Sequence, residues 1–152
     1  MAASFKSLMA DFSQQLGHEF DEEWESPLEV AIDDVVITFS EYARTGEEEL
    51  LLFADLGQID EANELETYRA LLEANLLWSG TGDATIGVNS DTRHAVIAYR
   101  IALEPLDGEM LTIMASQFVA LVAVWKAFID GDELVEPELP DDGNAMANAI
   151  RV

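Results

Sequence analysis

The side chains that most often do chemistry are scarce in this chain. It has no cysteine, which removes thiolate catalysis, thiolate metal sites and disulfides. His18 and His94 are its only histidines, and neither sits in a His-x-x-x-His or carboxylate-rich ligand spacing of the kind a zinc site needs. The 31 acidic residues are so many that no spacing singles out one pair as general acid and base. Gly80-Thr81-Gly82 follows a helical pattern and precedes a strand pattern, the reverse of the order that places phosphate on a helix N-terminus, and it lacks the nucleotide-loop lysine. Asp130-Gly131-Asp132 is not continued into a calcium loop, since no bidentate glutamate follows at the right distance. No Gly-x-Ser-x-Gly word is present. Enzyme is therefore the least supported class; no catalytic residue, cofactor or metal is expected.

Charge narrows the partners instead. Seven basic residues against 31 acidic ones give a formal net charge of -24 and a pI near 4.1. Nucleic acid and anionic membranes would repel such a surface. A basic polypeptide partner remains, as does the plain reading that acidity keeps an otherwise sticky protein soluble. Residues 110–129 approach membrane-spanning length, but they contain Thr112, Ser116, Gln117 and Lys126 between acidic flanks, so a buried helix is expected rather than membrane insertion. Residues 1–10 lack the continuous apolar core of a signal peptide. With the absence of cysteine, this points to a reducing compartment.

The elements that would position a binding surface are legible from periodicity. Phe5, Leu8, Met9, Phe12 and Leu16 share one helical face and predict a first helix ended by Gly17. An acidic loop over 18–26 carries Phe20 and Trp24. Strands are expected over 28–32, 35–43 and 49–56, with Asp33-Asp34 and residues 45–48 as turns. Leu65, Tyr68, Leu72 and Leu76, widened by Leu71 and Asn75, give a second helix with a broad apolar face. Asn63 and Glu66 are its candidate capping pair, and the residues 79–83 end it. Strands at 84–89 and 94–103 form a hairpin. Pro105 then stops the chain, Asp107 caps, and Leu111, Met114, Phe118, Leu121, Trp125 and Phe128 mark a last helix that should lie across a sheet and be buried nearly all round. The order α-β-β-β-α-β-β-α describes an α+β domain with a twisted antiparallel sheet covered by helices, over residues 1–130. Residues 131–152 read as a solvated acidic tail.

Within this pattern, Leu71-Leu72-Glu73-Ala74-Asn75-Leu76, the glycine turn, the short strand with Gly87, the longer strand and the apolar helix running through Phe118 to Trp125 resemble the class I chaperones of bacterial type III secretion, the Tir chaperone or CesT-like family. The resemblance covers about the last two thirds of the ordered chain and, more faintly, the helix ending in Leu16-Gly17. It implies a cytoplasmic, bacterial homodimer that binds the unfolded N-terminal segment of a secreted effector without ATP, with the secretion ATPase as a further partner. Carried onto this sequence, it places the dimer interface at Leu72, Asn75, Leu76, Trp78, Ile86 and Val88. It places client binding at Phe5, Leu8, Phe12, Leu16, Val35, Ile37 and Phe39. Core packing is the competing role for each of these residues. The acidic loop at 19–25 and the tail after Asp130 depart from the family pattern.

Two readings of other classes stand beside the chaperone. One is an acidic decoy that mimics nucleic acid or neutralises a basic toxin, favoured by the charge and opposed by the ordered apolar pattern. The other is a small enzyme of unidentified reaction. Salt separates the first two, because a charge-driven complex weakens sharply with ionic strength and apolar anchoring does not.

Overall fold

The computed structural model describes residues 4–21, 23–44 and 46–134. The expected tail lies almost entirely outside the described residues. The first helix, α1 (Phe5–Leu16), begins at a reciprocal cap in which the Ser4 hydroxyl accepts from the Ser7 amide while the Ser7 hydroxyl accepts from the Ser4 amide. It ends at Gly17, whose φ of 73° is the left-handed conformation that glycine adopts without a Cβ penalty.

Three strands follow as a meander: β1 (Leu28–Ile32), β2 (Val35–Arg44) and β3 (Glu47–Gln58). Asp33 and Asp34 both take positive φ, the two-residue hairpin geometry that matches the twist of the flanking strands. β3 runs past the expected 49–56 at both ends, because its pairing with β2 and with β5 continues beyond its apolar run. α2 (Glu64–Asn75) is followed by β4 (Thr85–Asn89), β5 (His94–Ala102) and α3 (Gly108–Ile129). The five strands form one antiparallel sheet in the order β1-β2-β3-β5-β4. The architecture is the α+β arrangement read from the sequence.

One face of the sheet carries the core. Ile37, Phe39, Leu50, Leu52, Leu56 and Ile97 are fully buried there against Leu8, Phe12, Leu111 and Trp125 of the flanking helices. The crossing of α1 and α3 is close enough that a Cβ on Gly108 would stand 2.6 Å from the Asp11 Cβ. α3 is capped by the Asp107 carboxylate, which accepts from the Met110 amide at 2.8 Å. Its stripe from Leu111 to Trp125 is buried as the spacing predicts, but burial all round is not observed: Met110 and Ile113 are exposed on its outer face. One flank of α3 meets the sheet and α1, and nothing described covers the other.

The start of α2 also differs from expectation. Asn63 makes no side-chain cap. A short 3-10 turn at Glu61–Asn63 precedes the helix, so the first free amides come earlier and Asp60 takes them, accepting from Ala62 at 3.1 Å.

Candidate functional site

The apolar stripe of α2 faces outward. Of its residues only Leu71 and Ala74 are buried, whereas Leu72 is 69% exposed. Leu65 and Leu76 are exposed on the same side, and the chain after α2 enlarges the patch. Leu77 and Trp78 take positive φ of 52° and 57°, a conformation that is uncommon for bulky residues and has to be stabilised by its surroundings. The result is that Leu77 and Trp78 project into solvent, 77% and 52% exposed. Val88, two residues along β4 from the Ile86 that Asn75 holds, is exposed as well. An assembly of large aliphatic and aromatic side chains of this kind marks an interaction surface.

The patch is held by specific contacts. The Asn75 side chain donates to the Ile86 carbonyl at 2.8 Å and accepts from the Ile86 amide at 2.9 Å. It thus does for β4 what a neighbouring strand would do, and ties α2 to the sheet edge. Gly80 donates to the Ala74 carbonyl and accepts from the Trp125 indole at 2.9 Å. A Cβ at Gly80 would lie 2.9 Å from that of Ala74, so the turn after α2 requires glycine. Within α2, Tyr68 donates to Glu64 at 2.6 Å, a bond that raises the phenol above its ordinary value.

The six expected interface residues therefore divide. Leu72, Leu76, Trp78 and Val88 stand on the surface; Ile86 is core, and Asn75 positions the rest through its hydrogen bonds. Leu65 and Leu77 belong to the same patch and were missed. Leu65 was already on the apolar face expected of the second helix but outside the residues that the resemblance carries over; Leu77 had no sequence signal, because its exposure comes from the backbone turn.

The residues expected to meet a client lie elsewhere. Phe5, Leu8, Phe12, Val35, Ile37 and Phe39 are all buried in the core, Phe12 and Phe39 with ring centroids 5.3 Å apart. Leu16 is half-buried. As folded, the six support the surface rather than form it. The open surfaces beside them are a groove where α1 meets β1, lined in part by Phe12 and Leu16, and the far face of the sheet. A hollow of about 350 Å3 is lined by Val36, Thr38, Phe53 and Val96 together with the core residues Val35, Ala54 and Val122, and is rimmed by Glu29, Asp55 and Lys126.

Electrostatics are organised at the strand ends. His94 Nδ1 lies 2.8 Å from the Asp55 carboxylate, which also accepts from the Gly57 amide at a bulge in β3. Burial opposes ionisation of Asp55, but the bonds from His94 and Gly57 and the positive charges of His94 and Lys126 outweigh it and hold its carboxyl below the ordinary value. Arg93 pairs with Glu61, and Arg100 pairs with Glu49 while lying 6.0 Å from the Tyr42 ring centroid.

The same architecture occurs in solved structures. The ExsC–ExsE complex matches with a TM-score of 0.64 at 21% identity, over 85% of this chain and 96% of that one. The ExoT–SpcS complex from Pseudomonas aeruginosa matches with a TM-score of 0.59 at 18% identity, over 81% and 97%. The HopA1–SchA chaperone–effector complex matches with a TM-score of 0.56 at 18% identity, over 84% and 94%. At these identities the likeness is one of fold. A search of curated proteins by sequence finds no significant match. A family model does match, across residues 7–126, a span that takes in every strand of the sheet, α2 and most of α1 and α3. The chain belongs to the Tir chaperone protein (CesT) family.

Proposed function

We propose that this protein is a type III secretion chaperone that binds the unfolded N-terminal segment of a secreted effector and keeps it soluble and secretion-competent, without ATP. It acts in the bacterial cytoplasm as a homodimer, with the secretion ATPase as a later partner. The observation that carries the reading is the outward apolar face of α2 and its turn, on a chain of this family. Leu65, Leu72, Leu76, Leu77 and Trp78 are each more than half exposed, a concentration of large apolar side chains of the kind that marks an interaction site, and a second copy of the same face would cover it by two-fold symmetry. A chain carrying a net charge of -24 also tolerates apolar exposure, because copies repel unless a specific fit brings them together.

The client is expected on the surfaces that the buried residues Phe5, Leu8, Phe12, Val35, Ile37 and Phe39 support from beneath: the groove at Leu16 and the open sheet face at Val36. Backbone pairing to a strand edge would supply much of the hydrogen bonding. No step in such binding requires nucleotide.

Two measurements test the proposal. Leu76→Asp puts a charge into an apolar interface; the variant is expected to keep its circular dichroism and to have half the mass of the native species. An unchanged dimer mass would remove α2 from the interface. Affinity capture of the tagged protein from its source cells, at moderate and high salt, should retain one secreted protein held through its N-terminal region. Recovery of a basic protein that high salt releases would instead support the acidic decoy.

A further inference from the structure

The β1 edge of the sheet is open. β1 pairs with β2 on one side and with no described strand on the other, so half of its peptide groups face outward as a template for an added strand. Beside it lies a groove of about 280 Å3 whose apolar lining comes from Phe12, Leu16, Trp24 and Val30 and whose ionisable lining is Glu19, Glu29 and His18. Trp24 is fixed by an edge-to-face contact with Phe20, centroids 5.4 Å apart. The Ser13 hydroxyl in the same groove is already satisfied, donating to the Met9 carbonyl at 2.8 Å.

What the lining of this groove lacks is a lysine or an arginine. Glu19 and Glu29 enter no ion pair among the described residues. Between Lys6 and Arg44 the sequence holds ten acidic residues and neither lysine nor arginine, so in the whole stretch from the body of α1 through β2 the His18 imidazole is the one basic group that the groove is offered. An apolar trough with an aromatic wall and carboxylates at its mouth has the chemistry of a long cationic side chain: a methylene stem to cover the trough, and a charged head to reach the carboxylates and the ring.

We propose that the groove is a recognition site for an arginine or lysine side chain, carried by an extended polypeptide segment that adds to the β1 edge. The stem lies over Leu16 and Trp24, and the head meets Glu19 and Glu29. On the chaperone reading, on which only the identity of the partner rests, the site selects effector segments that bear a cation where they cross β1.

The test uses the full-length protein and two fluorescein-labelled nine-residue peptides of alternating threonine and valine, one with a central arginine and one with norleucine in its place. Anisotropy titration at low salt should show the arginine peptide binding on the order of tenfold more tightly, with the ratio shrinking in high salt. The double variant Glu19→Gln/Glu29→Gln should abolish the ratio while leaving circular dichroism and mass unchanged. Equal affinities, no binding by either peptide below about 1 mM, or a ratio that survives the double substitution would overturn the site. Failure of the chaperone reading looks different. A captured effector whose affinity the double variant leaves unchanged removes the groove and keeps the chaperone; an arginine preference with no effector captured does the reverse.

Discussion

α1 and α2 are each twelve residues long and each carries apolar side chains at three- and four-residue steps, yet they end on opposite sides of the solvent boundary. α1 presses Phe5, Leu8, Met9 and Phe12 into the core, each no more than 3% exposed. α2 turns Leu65, Leu72 and Leu76 outward. The cause is what lies beneath each helix. α1 packs against α3, crossing it at Gly108, and sets Phe12 on Phe39 of β2, whereas α2 sits beside β4 at the rim of the sheet, held by Leu71, Ala74 and the two Asn75 hydrogen bonds. Amphipathic periodicity reports that a helix has an apolar face. It does not say whether that face meets the same chain or another.

The sharpest way to break the comparison is to truncate one residue on each helix. Phe12→Ala removes a fully buried ring and should lower unfolding free energy by about 3–5 kcal/mol, measured by urea denaturation. Leu72→Ala, under conditions where the protein is monomeric, should change it by no more than about 0.5 kcal/mol. Similar losses at the two sites would mean that the α2 face is covered within the chain.

Gly108→Ala comes next. The added Cβ meets both the side chain and the backbone of Asp11, so the α1–α3 crossing must shift, at about 1–3 kcal/mol. A neutral result would show that α1 is seated less tightly than the contact distance implies. Asn75→Ala should destabilise by about 1–2 kcal/mol, because it leaves two backbone groups of Ile86 without partners. Its distinctive readout is local: faster hydrogen exchange at the Ile86 amide with little change at Ile37 in the core.

The smallest effect concerns the sheet on which both helices depend. Asp55 titrates below its ordinary value of 3.8, so its contribution to stability is complete above that value and is lost as the pH falls through the lower folded-state value. Asp55→Asn should therefore lower the melting temperature slightly near pH 6, and the difference from the native protein should vanish toward pH 2. A difference that grew on acidification would contradict the sign of the shift.

The element order and most of the element boundaries follow from the amino-acid sequence alone. α1 is ended by Gly17, the Asp33-Asp34 turn fits only a tight hairpin, and the Asp107 cap opens α3; each of these is a local preference of a few residues that any surrounding fold would respect. The surplus of negative charge and the absence of cysteine chemistry follow from the sequence as well. Which apolar stripes are core depends on how the elements pack in three dimensions. Leu8 and Leu72 are the same residue type at similar helical spacing, and their burial depends on strands dozens of residues away. Likewise, the bonds by which Asn75 ties α2 to Ile86 exist only because β4 is placed within its reach, and Leu77 and Trp78 became exposed through a left-handed backbone turn that no local pattern encodes. Burial and presentation are properties of what a residue packs against, and that partner is chosen by the fold as a whole.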